Sequence, residues 1–416
     1  MKVEVVTIGT ELVLGLTPDT NAAELGRALA AAGAEVVRHA AVPDRPDAIR
    51  AAVAEALHRT GFVVATGGLG PTRDDMTKRE VAALFEMPLR LDEGVLRALE
   101  ERFRRLGRPM PAVNRGQAEV PQGATVLPNP RGTAPGLWLE DAQGRVAVLL
   151  PGVPAEMRGL LVDEVLPRVA RRAGDPTRVV LSRMLRTTGV PESALAERIG
   201  PIEEDLAPLT LAYLPSLDGV DLRLTAWSLP RPEAEERLAA AAQGLRGRLG
   251  DHCYGEDGAD LAAVVLETLR ARNGRLAVGE SCTGGLLAAR LTAVPGASDV
   301  FIGGVVAYDD DVKTELLDVP PATIEAHGAV SEETVRAMAE GVQRRFEAWA
   351  ALAITGVAGP TGGTPDKPIG TVWLAARLGA ETRALTRVFP GDRGEIRARS
   401  AQAALDLLRR LLPEHA

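Results

Sequence analysis

A serine and a cysteine, Ser281 and Cys282, lie side by side in a glycine-flanked stretch that could support nucleophilic chemistry. An apolar run at 276–278 precedes them and a helix-like run at 286–291 follows, which predicts a strand-to-helix turn. The first turn of a helix offers unpaired N–H groups and a positive dipole end, which favour an anion or a developing oxyanion. An ordinary glycine-rich α/β loop would show the same pattern. The stretch alone therefore leaves catalysis and structure as equal alternatives.

A serine nucleophile needs a base, and the usual one, histidine, is scarce in the last third of the chain. His327 precedes Gly328 and is expected to cap or order a turn. Only four of the 48 basic residues are lysines, and Lys313 is one of them. Lysine can act as a base when it is desolvated or near a cation such as Arg393, whereas arginine keeps its proton. A Ser–Lys pair is therefore predicted, although Lys313 could also be an ordinary surface lysine.

A second glycine-containing loop, residues 67–78, follows another short apolar run. Its glycines would bring backbone N–H groups close to a phosphate. Asp74 and Asp75 could hold a hard divalent cation through oxygen ligands, and Lys78 could neutralise phosphate charge. Alternatively, one aspartate only caps the helix expected to begin near Thr77. Glycines, paired aspartates and a rare lysine within twelve residues favour phosphate or metal binding.

Alternating strand and helix patterns predict a doubly wound, mostly parallel sheet in the first part of the chain. The strands are expected at 2–8, 62–66 and 145–150, with a helix from Pro154 to about Arg172. Ligands bind at the carboxyl ends of the strands in such sheets, and the 67–78 loop falls there. Residues 178–249 predict a small α/β module with an antiparallel sheet and no catalytic cluster. Strand and helix patterns resume from about residue 256 and predict another α/β domain.

Composition limits the classes of protein that fit. A chain of 416 residues is too long for one core, so two or three domains are expected. The net charge of −8 argues against nonspecific nucleic-acid binding. No apolar run reaches the roughly 18 residues of a membrane span, and the start lacks a signal-peptide pattern, so a cytoplasmic location without membrane contact is expected. Two cysteines are too few for a disulfide framework or a structural zinc site.

Several motifs together resemble the CinA family (competence/damage-inducible protein A), and the resemblance covers the whole chain. They are GGLGPTRDDMT (67–77), PGVPAEM (151–157), ESCTGG (280–285), HGAVS (327–331), TGVAGPTGGTPDKPIGTVW (355–373) and FPGDR (389–393). The family implies three parts: a molybdopterin-binding-like domain over 1–170, a KH-like linker or dimerisation module over 171–252, and a three-layer α/β amidase domain over 253–416. A homodimer is also implied.

The resemblance implies two hydrolytic activities of pyridine-nucleotide recycling. The C-terminal domain would convert nicotinamide mononucleotide to nicotinate mononucleotide and ammonia without a cofactor. The N-terminal domain would cleave ADP-ribose to AMP and ribose 5-phosphate with a divalent metal such as magnesium. Two alternatives stay open: a non-catalytic nucleotide- or pterin-binding regulator linked to competence or DNA damage, and molybdopterin chemistry in the N-terminal domain.

The resemblance also assigns the site residues. The amidase nucleophile falls on Ser281, with Lys313, Arg393, Tyr308 and Thr283 in the same pocket, and Cys282 is left a packing role. The glycines expected to hold substrate or oxyanion there are Gly284, Gly285, Gly356, Gly359 and Gly362. The N-terminal nucleotide site would include Thr10, Glu11, Asn21, Gly68, Gly70, Pro71, Thr72, Lys78, Arg115 and Gln117, with Asp74 and Asp75 on the metal. The chain departs from the family pattern at Leu16, Asp19, Asp310 and Thr361, and the family usually has asparagine at the position of Asp310.

Overall fold

Short apolar runs form the central strands in the computed structural model of the chain, which describes residues 1–172 and 178–412. Every residue of the strands at 62–66 and 146–150 is buried, since a run of apolar side chains needs cover on both faces. The first eight strands are β1 (Lys2–Ile8), β2 (Glu35–Val42), β3 (Phe62–Thr66), β4 (Leu89–Leu91), β5 (Glu119–Pro121), β6 (Thr125–Leu127), β7 (Gly136–Glu140) and β8 (Val146–Leu150).

Six of these strands form one sheet of order β2-β1-β3-β8-β7-β6, and β4 pairs with β5 separately. The first four strands of that order run parallel to one another. β7 runs antiparallel to β8, and β6 runs antiparallel to β7. Alternate residues of each strand face opposite sides, so Val5 and Val64 enter one hydrophobic core while Val6 and Val63 enter another. The predicted doubly wound, mostly parallel sheet is confirmed.

Helices cover the two faces of this sheet. Asp19 caps one of them by accepting the Ala22 N–H at 2.9 Å. The predicted single helix from Pro154 to Arg172 is instead interrupted by a π-helical turn at Leu161–Val165. The helices are α1 (Thr10–Val13), α2 (Thr20–Ala31), α3 (Pro46–Thr60), α4 (Thr77–Leu84), α5 (Glu93–Arg105), α6 (Pro154–Leu160) and α7 (Leu166–Arg172), with a 3₁₀ turn at Ala112–Ala118.

A four-stranded sheet of order β10-β11-β9-β12 forms the middle module. Its elements are β9 (Arg178–Thr187), α8 (Glu192–Glu203), β10 (Leu209–Pro215), β11 (Val220–Pro230), α9 (Arg231–Leu249), a 3₁₀ turn at Gly250–His252, and β12 (Cys253–Glu256). The last strand pairs antiparallel with β9 and lies beyond residue 252, where the sequence analysis places the boundary. By its internal contacts the chain forms two compact units. They comprise Met1–Leu181 with Ala226–Glu236, and Ser182–Thr225 with Arg237–Ala416.

The C-terminal sheet has the order β14-β13-β15-β16-β17. The inner strand β13 runs parallel to its neighbours β14 and β15, whereas β16 runs antiparallel to β15 and β17 antiparallel to β16. Its strands are β13 (Leu276–Glu280), β14 (Phe301–Val306), β15 (Ala350–Gly356), β16 (Thr371–Leu378) and β17 (Glu381–Val388). Its helices are α10 (Leu261–Ala271), α11 (Leu286–Thr292), α12 (Asp310–Leu317), α13 (Pro321–His327), α14 (Glu332–Phe346) and α15 (Arg393–Leu411), with a 3₁₀ turn at Ala297–Asp299.

The C-terminal helices pack on both faces of their sheet, which confirms the predicted three-layer α/β domain. Leu276 and Val278 of β13 lie in one core, and Ala277 between them lies in the other. The strand β14 ends at Val306, and the next residues form a loop and the start of α12. None of the helices in the described ranges is long and apolar enough to cross a membrane.

Candidate active sites

Ser281 lies at the carboxyl end of β13, an inner strand of the C-terminal sheet. Its N–H donates to the Ile354 carbonyl at 2.9 Å, and its own carbonyl accepts the Gly284 N–H at 3.0 Å. Gly285 has a φ of +92°, a conformation that favours glycine, and begins the turn into α11. The predicted strand-to-helix turn is therefore present, with the Ser281 residue 8% exposed.

The buried carboxylate of Glu280 occupies the N-terminal N–H groups of α11. One oxygen accepts the N–H groups of Gly285 and Leu287, both at 3.0 Å, and the other accepts that of Ala288 at 2.8 Å. The expectation that Gly284 and Gly285 hold an oxyanion or phosphate through their N–H groups does not fit this arrangement, because both groups already donate within the turn. The acidic residue directly before Ser281 is the signal that sequence reasoning missed.

Two other N–H groups of the turn, those of Cys282 and Thr283, donate to no carbonyl group within the described ranges. Both residues are buried, and the Thr283 hydroxyl also has no hydrogen-bond partner. Most backbone N–H groups in the interior of a protein donate to an acceptor, so N–H groups of buried residues that lack a carbonyl acceptor are available to a ligand. These donors beside Ser281 are therefore the better candidates for stabilising an oxyanion.

Arg397 of α15 holds the same turn from the other side. Its Nε and Nη2 donate to the Thr283 carbonyl at 3.1 and 2.6 Å. A guanidinium that donates twice to one oxygen fixes both the position and the direction of that peptide group. Arg397 lies four residues after Arg393, one helical turn away, and the sequence analysis did not single it out.

Cys282 is an unsuitable nucleophile in this structure. Burial raises the pKa of its thiol to about 12, and its side chain belongs to the core that also contains Leu287. The thiolate is the reactive form, and it is scarce at neutral pH when the pKa is this high. The packing role predicted for Cys282 fits these observations.

Alkylation by iodoacetamide is therefore expected to leave Cys282 unmodified in the native protein. At pH 8 the thiolate fraction implied by a pKa of about 12 is on the order of 10⁻⁴. Mass spectrometry after one hour of treatment should find the Cys282 peptide unlabelled, whereas the urea-unfolded protein should be labelled fully. Rapid native labelling at Cys282 would contradict its assignment to the core.

Lys313 lies inside α12 and is 1% exposed. Its Nζ donates to the carbonyls of Tyr308 and Asp309 at 3.2 and 3.3 Å, and to Asp310 Oδ1 at 3.0 Å. These three acceptors fill the three donor positions of an ammonium group. The structure therefore does not join Lys313 to Ser281 by a hydrogen bond, and the predicted Ser–Lys contact stays a prediction. The Asp310 side chain is 54% exposed and connects the amine to solvent.

Arg393, at the start of α15, contacts the 356–363 loop and the residues between β14 and α12. Its Nη1 donates to the Gly359 carbonyl and its Nη2 donates to the Tyr308 hydroxyl, both at 2.7 Å. Tyr308 is 58% exposed, and its backbone carbonyl is one of the acceptors of Lys313. Tyr308, Arg393 and Lys313 are thus brought together, as predicted. Gly359 takes part through its carbonyl, not through an N–H group.

The remaining glycines of this loop differ in exposure. Gly356 ends β15, where a Cβ atom would meet Val372, whereas Gly362 is exposed with a φ of +88°. Lys367, farther along the loop, donates to the His327 carbonyl at 3.1 Å. His327 itself ends α13, as its predicted turn role requires.

The N-terminal loop borders a cavity of about 430 Å³. The strand β3 leads into the loop, and α4 leaves it, so the cavity lies at the carboxyl end of the sheet as predicted. Six predicted residues line it: Gly68, Gly70, Pro71, Thr72, Asp75 and Lys78. Sequence reasoning missed the rest of the wall, which includes Arg73, Met76, Arg79, Leu89, Val113 and Glu119.

Lys78 is one of three basic residues that line this cavity, with Arg73 and Arg79. Its Nζ donates to the Gly116 carbonyl at 2.7 Å. Burial lowers the pKa of Lys78 to about 8, with the nearby Arg79 acting in the same direction and Glu119 opposing it. An amine with this pKa gains charge readily when an anion arrives, which suits phosphate binding.

Asp74 and Asp75 offer fewer free oxygens than a dedicated metal site needs. Asp75 Oδ2 accepts the Thr72 N–H at 2.9 Å and the Thr72 hydroxyl at 2.5 Å, so this carboxylate closes the loop. Within residues 1–172 and 178–412, no group of three or more His, Cys, Asp or Glu side chains is arranged to hold a metal ion. Magnesium keeps several waters and often takes one or two carboxylates together with substrate phosphates. Asp75 lines the cavity and Asp74 does not, so the predicted magnesium site stays a prediction.

Two other predicted residues, Glu11 and Asn21, line a smaller cavity of about 130 Å³, together with Thr66 and Gly152. The Asn21 amide donates to the Gly152 carbonyl at 2.8 Å, and its buried oxygen has no partner. A Cβ atom built on Gly152 would lie 3.4 Å from the Gly67 Cα, so this cavity adjoins the glycine loop.

Three predicted ligand residues have other roles or positions. The Thr10 hydroxyl and N–H both donate to Asp44. Gln117 is buried and donates weakly, at 3.5 Å, to the Leu69 carbonyl, which ties it to the loop rather than to the cavity. Arg115 is exposed and does not line the cavity wall.

Comparison with known proteins identifies relatives along the whole chain. Three family models match it: "Probable molybdopterin binding domain" at residues 4–171, "Damage-inducible protein CinA KH domain" at 182–255 and "CinA C-terminal domain" at 258–412. A CinA-like protein of Gemmatimonas aurantiaca is 53% identical over 417 residues, covering 100% of this chain and 97% of that relative. A CinA-like protein of Gloeobacter violaceus is 44% identical, covering 98% of this chain and 96% of that relative.

Solved structures also resemble part of the chain. The crystal structure of the competence damage-inducible protein A from Klebsiella pneumoniae is 38% identical and aligns 38% of this chain with 97% of its own, at a TM-score of 0.37. The crystal structure of a CinA protein of unknown function from Thermoplasma acidophilum is 37% identical, aligns 39% of this chain with 95% of its own, and has a TM-score of 0.37.

Proposed function

The chain belongs to the CinA family, with a molybdopterin-binding-like domain, a CinA KH domain and a CinA C-terminal domain, and we propose that the C-terminal domain is a nicotinamide-nucleotide amidase. Its substrate would be the carboxamide of nicotinamide mononucleotide. The products would be nicotinate mononucleotide and ammonia.

The observation that carries this proposal is the Ser281 turn. A serine at a strand end stands beside the backbone N–H groups of two buried residues, Cys282 and Thr283, and these groups have no carbonyl acceptor in the described ranges. A carboxamide carbon attacked by a hydroxyl becomes tetrahedral, and its oxygen gains negative charge. Backbone N–H groups fixed near that oxygen stabilise the charge in the transition state.

The proposed reaction has two steps. The Ser281 Oγ attacks the carboxamide carbon and its proton passes to the leaving nitrogen, so the C–N bond breaks and ammonia leaves an ester on the serine. Water then attacks the ester carbon, the C–Oγ bond breaks, and nicotinate mononucleotide is released with the serine hydroxyl restored. Lys313 would carry the proton, and the exposed Asp310 carboxylate offers the amine a route to solvent.

Arg393 and Tyr308 are proposed to bind the substrate's 5′-phosphate. The guanidinium already donates to the Tyr308 hydroxyl and the Gly359 carbonyl, so it is held in one orientation at an exposed position. Arginine suits phosphate because its donors match two phosphate oxygens at once. Nicotinamide riboside, which lacks the phosphate, would then be a poor substrate.

Ammonia release from nicotinamide mononucleotide by the purified full-length chain tests this function. The expected result is one ammonia and one nicotinate mononucleotide for each substrate molecule consumed, quantified by an enzyme-coupled ammonia assay and by chromatography. If the wild-type chain binds the nucleotide but releases no ammonia, the regulatory alternative replaces the amidase.

For the N-terminal domain we propose hydrolysis of ADP-ribose to AMP and ribose 5-phosphate. The cavity of about 430 Å³ supports this because it combines cationic residues, Lys78 and Arg79, with an apolar wall that includes Leu89. Water would attack one phosphorus and the P–O–P bond would break. Asp74 and Asp75 would hold a magnesium ion that neutralises the pyrophosphate charge when bound.

Comparing ADP-ribose with molybdopterin in binding experiments, with and without magnesium, separates this function from pterin chemistry.

The affinity of this cavity for ADP-ribose is expected to fall as pH rises through about 8, the pKa to which burial lowers Lys78. Lys78 is charged below that pH and neutral above it, so the anion loses its partner on the alkaline side. Between pH 7 and pH 9 the dissociation constant should rise about tenfold. Calorimetry with the Lys78→Met variant is the control, because that variant should bind weakly at both pH values. An equally steep pH dependence in Lys78→Met would assign the effect to another group.

A further inference from the structure

Glu280 is the least expected residue of the C-terminal site, since it is a carboxylate that is only 1% exposed at the end of a central strand. Burial of a carboxylate is costly unless hydrogen bonds and opposite charge compensate. Among the ion pairs of the described residues, none involves Glu280. Its compensation comes from three backbone N–H groups at the start of α11 and from the positive end of that helix.

The three hydrogen bonds of the Glu280 carboxylate span the turn that contains Ser281. Glu280 is directly bonded to Ser281, while its carboxylate reaches forward to Gly285, Leu287 and Ala288. The side chain therefore closes a ring around the turn that contains Ser281, Cys282 and Thr283. Two bonds from Arg397 to the Thr283 carbonyl hold that turn from outside the ring.

We infer that Glu280 is a positioning residue of the proposed amidase, which sets the Ser281 hydroxyl against the N–H groups of Cys282 and Thr283. The inference rests on the amidase function proposed above. By filling the helix terminus with its own carboxylate, Glu280 also keeps the substrate phosphate away from α11. The substrate is then oriented with its carboxamide at the turn and its phosphate at Arg393.

A simpler role for Glu280 would be that of a helix cap, which contributes stability and nothing else. The two roles predict different kinetics. Loss of a cap lowers stability and leaves the rate constant of the remaining folded enzyme unchanged. A misplaced hydroxyl or N–H group lowers kcat, because the geometry of attack is what fails, and it leaves KM nearly unchanged.

The test is Glu280→Gln in the full chain. The amide has one acceptor oxygen in place of two and presents its NH₂ group to backbone donors, so part of the ring opens. We expect kcat for ammonia release to fall about 100-fold and KM to change less than about threefold. Asp260→Asn is the matched control: Asp260 caps α10 in the same unit by accepting the Ala263 N–H at 3.1 Å, and its other oxygen lies 4.0 Å from Arg290 in the last turn of α11, at the opposite end of that helix from Glu280. It should keep the wild-type kcat.

A second readout does not depend on the nicotinamide substrate. A fluorophosphonate probe that phosphonylates activated serines should label Ser281 in the wild type and label Glu280→Gln about 100-fold more slowly. Circular dichroism establishes folding, and if Glu280→Gln does not fold, Glu280→Asp is measured in its place by both methods.

The outcomes separate the two proposals. Slow labelling and low kcat in the variant support the inference. Wild-type kcat in the variant, or an equal loss in Asp260→Asn, overturns it and leaves the amidase function intact. If the wild type labels at Ser281 but releases no ammonia, the proposed substrate has failed, and the labelling rates alone decide the role of Glu280. If the wild type does neither, both proposals fall.

Discussion

Replacing Ser281 with alanine is expected to lower ammonia release from nicotinamide mononucleotide by at least about 1,000-fold. The loss follows because the proposed ester intermediate cannot form without the hydroxyl. Stability should change by less than about 1 kcal/mol, since the substitution removes one atom and leaves the backbone bonds of the turn in place. Steady-state kinetics and thermal unfolding of the same preparation measure both effects.

Cys282→Ser is the control for this experiment, because it alters the neighbouring side chain and keeps the proposed nucleophile. The thiol lies in the core, so the variant should be somewhat less stable but should retain most of its activity. If Ser281→Ala remains active while Cys282→Ser is inactive, the nucleophile has been assigned to the wrong neighbour.

Lys313→Met is expected to lower the same activity by about 100- to 10,000-fold, the usual contribution of a positioned acid or base. Methionine has nearly the same length but cannot carry a proton. The carbonyls of Tyr308 and Asp309 lose their donor, so the free energy of unfolding should also fall by about 1–3 kcal/mol. Asp310 is half exposed and can be hydrated, so it adds little to that cost.

Two further variants show whether charge or proton transfer is responsible. Lys313→Arg keeps the charge but cannot give up its proton, and it should be as inactive as Lys313→Met. Lys367→Met is the matched control, because its Nζ also donates to a backbone carbonyl, that of His327 at 3.1 Å, yet lies on an exposed loop. It should remain active. Full activity in Lys313→Arg would remove Lys313 as the proton carrier.

The sequence predicts the sheets well because the central strands are apolar runs between glycine and proline residues. The strand before Ser281 and the helix after it are recognisable for that reason. By contrast, β4 and β5 have three residues each and too little pattern to be predicted. The wall of the N-terminal cavity that contains Leu89 and Glu119 was therefore missed.

The identities of the site residues were more predictable than their contacts. Lys313 was singled out because lysines are few in this chain and a lysine can act as a base. The carbonyls of Tyr308 and Asp309 that accept its hydrogen bonds belong to the loop that forms because β14 ends at Val306. Glu280 was missed because a buried carboxylate becomes favourable only when a helix terminus faces it in three dimensions. The contacts of Asp75 could not be predicted for the same reason, since its hydrogen bonds to Thr72 depend on the fold of the loop.

The placement of the few lysines has a practical consequence for chemical labelling. Acylating reagents attack neutral amines, so an accessible amine of low pKa reacts first, and Lys78 has a pKa of about 8 and lines an open cavity. Lys313 is shielded from reagents by burial. A limited dose of an amine-reactive fluorophore at pH 8 should therefore mark Lys78 ahead of Lys2 and Lys367, and would give an optical reporter of that cavity without any engineered cysteine.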